Sequence, residues 1–266
     1  MNVFQVERIL TFSTVNNISR RNKIIGKGMK KNIVIQPSTE LAYWVGVVQS
    51  DGSLKIYNEK GRKNPRYRIS LSVSKESLPM LIKSQRICKD VFNRNIKIFK
   101  SKTREIWNLN IRIKSLLKLF HKLDIKFNKS FSPPKWCSES PEFFGAYLAG
   151  VIDGDGNVTV KRRKYPQCLV RIFSGQREEK LANEIRRTLG CCVSIYKKDE
   201  KRYFAKENRV IDGTWFELNF LISSKNYKFI ENFVLSNIML PHKKERIKFF
   251  IQNRGCSIAS VKAYNG

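Results

Sequence analysis

Acidic residues and histidine are scarce in this sequence. Among 266 residues, 22 are Asp or Glu against 52 Lys or Arg, and only 2 are His, so the formal net charge is +30. Self-repulsion on this scale opposes a compact state unless a polyanion neutralises it. The imbalance therefore predicts a nucleic acid partner, and it leaves open DNA or RNA, and a ribosomal-type binder or an enzyme.

Several other features are missing. The six cysteines form no C-x-x-C pair, and His121 and His242 are distant from them in sequence, which argues against a zinc finger or a Cys/His nucleophile. No apolar run approaches about 18 residues, so no membrane span is expected. No secretory apolar segment opens the chain. We therefore expect free thiols and an intracellular location with access to DNA, either the cytoplasm or an organelle matrix.

A packed core is nevertheless expected, because hydrophobic residues make up 41% of the chain and include 17 Phe. The length suits one large domain or two smaller ones, at roughly 100–200 residues per domain. An internal repeat favours two halves. Residues 41–53 (LAYWVGVVQSDGS) and 145–157 (GAYLAGVIDGDGN) align at a constant offset of 104, which matches Gly46 with Gly150 and Asp51 with Asp155.

The pattern after each copy predicts helix–strand–strand–helix–strand–strand–helix, an α+β fold of two pseudo-symmetric halves. Residues 199–213 are predicted to form a long hairpin loop, and residues 242–252 a basic closing helix. The basic N-terminal segment is compatible with a transit peptide, a DNA-contacting arm or read-through before Met29. The predicted organisation is a basic extension (1–37), a first half (38–127), a linker (128–141), a second half (142–253) and a tail (254–266).

Alternating strands predict a nucleic-acid surface. In residues 105–114, Trp107, Leu109, Ile111 and Ile113 fall on one face, and amide and cationic side chains fall on the other. Such groups bind base edges and phosphates, although an ordinary solvated sheet face is the alternative. The candidate DNA-binding residues are Arg66, Arg68, Ser70, Ser72, Asn108, Asn110, Arg112, Lys161, Arg163 and Arg171.

Each repeat copy predicts a helix that ends at an aspartate. Gly52 and Gly156 stand where a helix would stop, the C′ position that favours glycine, so Asp51 and Asp155 are expected at helix C-termini. A carboxylate is disfavoured there unless a cation lies nearby. If the helices pack through Gly46 and Gly150, both carboxylates meet, and oxygen ligands of this kind suit Mg²⁺.

Two alternatives apply to the Asp-Gly segments. An EF-hand loop is excluded, because its sixth and twelfth positions would be Val158 and Lys164 instead of Gly and Glu. A plain Asp-Gly turn after a core helix would be the simplest interpretation of one copy. Two equally spaced copies in a chain of this charge favour a functional site.

Residues 148–156 (LAGVIDGDG) resemble the LAGLIDADG signature of homing endonucleases almost letter for letter. Residues 44–52 (WVGVVQSDG) are a looser version, with Gln49 where the second copy has Asp153. The resemblance covers roughly residues 38–250. Two motifs in one chain are similar to the monomeric members, which bind asymmetric sites.

The resemblance implies paired signature helices between two αββαββα halves, whose sheets form a saddle in the DNA major groove. It implies that Asp51 and Asp155 bind Mg²⁺ (or Mn²⁺) and that Gln49 and Asp153 serve packing and helix capping. No ligand role is assigned to the backbone at Ser50. Further basic or polar catalytic residues are implied by alignment at Lys75, Gln176, Lys114 and Lys225, with Ser223 and Ser224 competing for the last position.

The implied reaction is metal-dependent hydrolysis of one phosphodiester in each strand of double-stranded DNA, which leaves short 3′ overhangs. The resemblance also implies a protein that acts as a monomer and has no membrane partner. An RNA maturase that binds its host intron RNA is the rival, alone or as a second activity. A catalytically silent DNA-binding regulator is another. Retention of both aspartates favours the nuclease, since neither rival needs them.

Overall fold

The structure is a computed structural model that describes residues 35–57, 65–127, 130–161, 165–204 and 209–255. The predicted DNA-binding residue Arg163 lies outside these ranges, as do residues 1–34 of the predicted extension and 256–266 of the predicted tail. No helix among the described residues is long and apolar enough to cross a membrane.

The first half begins with a helix that is buried on all sides. Ser38 caps it by accepting a hydrogen bond from the Leu41 N–H, and Glu40 lies in its first turn, where a carboxylate complements the helix dipole. The elements of this half are α1 (Thr39–Asp51), β1 (Gly52–Tyr57), β2 (Arg66–Ser74), α2 (Leu78–Asp90), β3 (Ile98–Lys100), β4 (Ile106–Arg112) and α3 (Leu117–Lys122).

The second half repeats this order with two additions. Ser140 caps the counterpart of α1 through the Phe143 N–H, with Pro141 at the first helical position. The elements are α4 (Lys135–Glu139), α5 (Pro141–Asp155), β5 (Gly156–Lys161), β6 (Gln167–Ser174), α6 (Glu179–Leu189), β7 (Val193–Phe204), β8 (Arg209–Ile222), α7 (Tyr227–Phe229, continued by a π-helical turn at Ile230–Leu235) and α8 (Pro241–Asn253).

Each half contains one antiparallel four-stranded sheet, with strand orders β1-β2-β4-β3 and β5-β6-β8-β7. Gly52 pairs with Leu71 in the first sheet, and Gly156 pairs with Ile172 in the second. The two motif helices therefore enter equivalent positions of two equivalent sheets. The α+β fold with two similar halves, predicted from the repeat, is confirmed.

One local prediction is wrong, and the predicted linker is partly helical. The loop expected at 199–213 is mostly a β-ribbon. Strands β7 and β8 stay paired from Val193 opposite Phe220 to Phe204 opposite Arg209, which is well beyond the end of β6 at Ser174. The segment expected to be a linker contains α4, and α5 begins at its last residue, Pro141. Cross-strand pairing supports the ribbon although its residues favour a loop, and the prolines at 133 and 134 precede a helix instead of excluding one.

The two halves meet through α1 and α5. A Cβ on Gly46 would collide with the Tyr147 carbonyl oxygen and lie 2.9 Å from the Val151 nitrogen; a Cβ on Gly150 would collide with the Tyr43 carbonyl oxygen. Both glycines thus allow backbone-to-backbone contact that no other residue permits. The tight pairing predicted for the repeated small residues is observed.

Candidate active site at the paired helix ends

Two carboxylates end the packed helices. Asp51 is the last residue of α1, Asp155 is the last residue of α5, and both are half-buried. The glycines that follow are required for a different reason from the predicted one. Gly52 (φ −78°) and Gly156 (φ −86°) are extended, not left-handed, and a Cβ on either would collide with the preceding helical turn at Val48 or Ile152.

The two carboxylates lie close enough to influence each other. A Cβ placed on Gly154, beside Asp155, would be 3.3 Å from the Asp51 Oδ2 atom. Burial and then the charge of Asp51 raise the pKa of Asp155 to about 7. Burial also raises the pKa of Asp51. Like charges held in this way gain stability from any cation that binds between them.

Lys243, near the start of α8, supplies a positive charge that sequence analysis missed. Its side chain is buried, and its Nζ donates to the Ile152 and Asp153 carbonyl oxygens at 2.7 and 2.8 Å, which caps the C-terminus of α5. Burial lowers its pKa, while Asp153, Asp51 and Asp155 oppose that shift. The basic segment at 242–252 was visible in the sequence, but nothing local showed which lysine points inward.

The sixth motif positions form a reciprocal pair of hydrogen bonds across the helix interface. Tyr43 of α1 donates its hydroxyl to Asp153 at 2.8 Å, and Tyr147 of α5 donates to Gln49 at 2.7 Å. Asp153 also accepts from the Met239 and Leu240 N–H groups ahead of α8, and Gln49 Oε1 accepts from the Ser132 N–H ahead of α4. Both side chains therefore serve packing and capping, as the resemblance implied.

The symmetry of these contacts breaks at the lysine. Helix α4 follows Pro134 and α8 follows Leu240, so the position of Lys243 corresponds to that of buried Cys137. Lys135 is exposed and lies 4.0 Å from Glu139.

Two cavities flank Asp155. One of 580 Å³ lies toward the first half and is bounded by Gln49, Ser50, Phe127 and Phe131, among others. The other, of 500 Å³, is lined by Asp155, Phe173, Ser174, Gly175 and Trp215. Buried Glu178 fixes their shared wall, because it accepts from Ser174 Oγ at 2.6 Å, Ser130 Oγ at 2.9 Å and the Phe131 N–H at 2.9 Å.

The structure separates the basic and polar residues implied by alignment into two groups. Gln176 and Lys75 are exposed and occupy equivalent positions just after β6 and β2; Gln176 follows the Ser174–Gly175 wall of the Asp155 cavities. Lys114 and Lys225 lie elsewhere. Leu109 pairs with Leu71, which in turn pairs with Gly52, so Leu109 is level with the end of α1. Arg112 is about 10 Å farther along β4, and Lys114 lies beyond Arg112.

Lys225 is placed in the same way. Leu218 pairs with Ile172, which in turn pairs with Gly156, so Leu218 is level with the end of α5. Strand β8 continues for about 13 Å from Leu218 to Ile222, and Lys225 follows in the turn. The structure therefore does not bring Lys114 or Lys225 to the carboxylates. The register of the strands, which the sequence did not fix, accounts for the difference.

Apart from Arg163, which lies outside the described residues, the predicted DNA-binding residues share the sheet face opposite the core. In the first sheet, pairing brings Arg68 opposite Arg112, Ser70 opposite Asn110, and Ser72 opposite Asn108, while Leu109 and Ile111 are buried beneath. In the second sheet, Arg171 pairs with Asn157 and donates to Thr159 at 3.1 Å. Arg66 pairs with Tyr57 at the end of β1, and Lys161 pairs with Gln167 at the end of β5.

A cationic groove of 790 Å³ lies at the outer end of the first sheet. Arg112 and Lys114 line it together with Arg94 and Lys97, and the other lining residues are Asn95, Ile96, Asn110 and Ser115. Arg94 is held by a 2.6 Å hydrogen bond to Ser115 Oγ. Its lining includes no acidic side chain among the residues that the structure describes, and it presents four positive charges to solvent.

The carboxylate site fits a magnesium ion. No three His, Cys, Asp or Glu side chains cluster as a complete metal site among the described residues. Mg²⁺ does not need such a cluster, since proteins commonly bind it through one or two carboxylates with water and substrate phosphates as the other ligands. Asp51 and Asp155 would supply those carboxylates, and the charge of Asp51 beside Asp155 favours a cation.

Comparisons with known proteins agree with this architecture. No family model matches the chain, and no curated protein sequence matches it significantly. The homing endonuclease I-DmoI in complex with DNA and Ca is similar in structure, with a TM-score of 0.52 and 17% identity over 79% of this chain and 97% of that one. A set of mesophilic variants of the same homing endonuclease gives a TM-score of 0.50 at 17% identity, covering 74% of this chain and 95% of that one. The chain therefore has the LAGLIDADG homing endonuclease fold that its motifs resemble.

Proposed function

We propose that this chain is a LAGLIDADG homing endonuclease that makes a double-strand break in a long asymmetric DNA site by metal-dependent phosphodiester hydrolysis. The observation that carries the proposal is the pairing of Asp51 and Asp155 at the ends of two helices packed through Gly46 and Gly150. A purely structural helix pair has no need for two half-buried carboxylates whose pKa values are both raised by burial.

Asp51 and Asp155 would hold Mg²⁺ or Mn²⁺, which supplies Lewis-acid polarisation of the phosphate and lowers the pKa of a water nucleophile. Lys243 stabilises the ionised form of both carboxylates at neutral pH and keeps α5 capped, which fixes the position of Asp155. Gln176 and Lys75, at equivalent positions, would orient water or stabilise charge on the phosphate. His121 and His242 have no role in this scheme.

The sheet faces would bind the DNA. Arginine, amide and hydroxyl groups on one face of each sheet match the chemistry of base edges and phosphates, and the net charge of +30 favours a polyanion. Lys114 is then a phosphate contact in the outer cationic groove instead of a catalytic residue. Two non-identical halves suit an asymmetric site, and paired motifs within one chain suit a monomer.

Cleavage of a randomised duplex library with Mg²⁺, followed by sequencing of the cut ends, tests the proposal. We expect one long recovered motif, paired breaks with short 3′ overhangs, and no products when EDTA replaces the metal. Competition with folded intron RNA at matched salt belongs to the same test. RNA binding tighter than duplex binding, without cleavage, would favour the maturase instead.

A further inference from the structure

The DNA-facing side of the second sheet carries an aromatic patch next to Asp155. Phe173 of β6 and Trp215 of β8 have ring centroids 5.4 Å apart, and both are half-exposed. Together with Asp155, Ser174 and Gly175 they line the 500 Å³ cavity on that side of the carboxylate. A large apolar surface therefore borders the group proposed to direct hydrolysis.

Strand register places this patch on the nucleic-acid face, not in the core. Along β8, Leu218, Phe220 and Ile222 are buried in the core, so Trp215 and Asn219 project to the opposite side. Along β6, Ile172 is buried, and Phe173 projects to the same side as Arg171.

The patch extends outward from Phe173. Glu217 lies between Phe173 on β6 and Tyr196 on β7 and is almost fully covered, while Tyr196 is 50% exposed. Glu217 also accepts a hydrogen bond from the Asn219 Nδ2 atom at 2.8 Å, so a polar group lies between the two aromatic side chains.

The indole of Trp215 has an unpaired donor. Its Nε1 atom is buried and has no hydrogen-bond partner, although buried indole N–H groups are usually paired. The Nε1 atom of Trp44 in the core is unpaired too, so the feature that distinguishes Trp215 is its half-exposed ring beside Asp155.

The first half has no aromatic pair at the positions equivalent to Phe173 and Trp215, although Phe99, which pairs with Asn108 as Tyr196 pairs with Glu217, is 47% exposed. Since Leu71 faces Gly52 as Ile172 faces Gly156, Phe173 corresponds to Ser72 and Glu217 corresponds to Asn108. Ser72 donates its hydroxyl to Asn108 at 2.7 Å, so this position is polar and exposed in the first half. The asymmetry lies at the positions nearest the carboxylates.

We propose that Phe173 and Trp215 form an aromatic subsite that packs against the base or deoxyribose of the nucleotide next to the phosphodiester on the Asp155 side. The inference rests on the proposed nuclease function. Aromatic side chains bind bases by stacking with little sequence preference of their own, and an apolar wedge at a base step favours steps that unstack easily. The subsite thus selects a deformable step beside one cut and not beside the other.

The test uses the duplex target recovered from the randomised library, with 2-aminopurine placed beside each scissile phosphate in turn. On binding the unmodified protein with Ca²⁺, we expect fluorescence to rise at one of the two positions only, since the subsite exists in one half. Trp215→Ala and Phe173→Ala should abolish that rise, reduce cleavage about tenfold or more, and relax base preference only at the adjacent step. Trp215→Phe should retain most of each effect, and Ile82→Ala, which removes an exposed apolar side chain of α2, is the control and should change none of them.

The outcomes separate the two proposals. Failure to recover any duplex target would remove the nuclease function itself. A cleaved target with equal 2-aminopurine signals at both positions, or with unchanged base preferences in Trp215→Ala and Phe173→Ala, would overturn the subsite while leaving the nuclease intact. The fluorescence of the unmodified protein gives a result even if an alanine variant fails to fold.

Discussion

At the scale of single residues, the proposed chemistry depends on two carboxylates. Asp51→Asn or Asp155→Asn should abolish double-strand cleavage, because an amide is a weaker metal ligand. DNA affinity should stay within about tenfold, since phosphate neutralisation dominates binding. Cleavage and gel-shift assays on the recovered duplex measure both quantities. Asp124→Asn, which removes an exposed acid paired with Lys126, is the control and should cut normally; full activity in either motif variant would reject a shared metal site.

The pKa of Asp155, about 7, also predicts how stability depends on pH. A carboxyl group whose folded pKa exceeds its unfolded value of 3.8 binds more protons when folded, so the free energy of unfolding falls as pH rises from about 4 to about 7. In metal-free protein, Asp155→Asn should therefore raise the melting temperature at pH 8 but change it little near pH 4. Allowing for partial exposure, we expect about 1–3 kcal/mol, or several degrees.

Differential scanning calorimetry in EDTA across this pH range measures the effect. Magnesium should recover part of the same stability in the unmodified protein at pH 8 and none in Asp155→Asn. A variant that is less stable than the parent at pH 8 would show that Asp155 is not held against electrostatic repulsion.

Sequence reasoning identified the two aspartates because their residue type, repeat spacing and following glycine are all local. It did not identify Lys243, since the contacts of this side chain with the Ile152 and Asp153 carbonyls join positions 90 or more residues apart. Lys114 and Lys225 were selected by alignment, and their distance from the site follows from strand register, which neighbouring residues do not determine.

At the scale of elements, the fold depends on the contact between α1 and α5. Gly46→Ala and Gly150→Ala should each destabilise the protein by at least about 2 kcal/mol, because the added Cβ meets a backbone carbonyl that cannot move aside without displacing its helix. Denaturant titration followed by circular dichroism measures the loss. Gly175→Ala is the matched control: a Cβ there has nothing within 4 Å, and its stability should lie within about 0.5 kcal/mol of the parent.

Element order was predictable, and the β-ribbon was not. Period-two alternation identified β2 and β4, and the apolar helical pattern with small residues identified both motif helices. Residues 199–213 contain charged and turn-forming residues that favour a loop. Pairing between β7 and β8 gives them partners across the ribbon, a tertiary effect that outweighs local preference.

At the scale of the whole molecule, the two motif helices already use each other's close-packing faces. A second copy therefore has no free motif helix to pair with, and we expect one protein per DNA site. Light scattering of the protein bound to its recovered duplex should give the mass of a 31.1 kDa monomer plus DNA. A mass corresponding to two chains on one site would contradict intramolecular pairing as the assembled active unit.

The charge distribution leads to a final prediction, which contrasts two cations of the outer groove. Arg112 lies on the sheet face opposite Arg68 and can reach a base edge, whereas Lys97 lines only the groove beyond the sheet. Arg112→Ala should cost about 1–3 kcal/mol of binding and relax preference at one base pair if the side chain pairs with a guanine. Lys97→Ala should weaken binding to all sequences alike and reduce the slope of log K against log salt by about 0.9, the contribution of one phosphate.

Binding isotherms at several salt concentrations, together with a specificity profile of each variant, measure both effects. If Arg112→Ala keeps the parental preference at every position and loses the same salt slope as Lys97→Ala, then Arg112 contacts phosphate, and specificity in the first half depends on the amides and hydroxyls of the neighbouring rows.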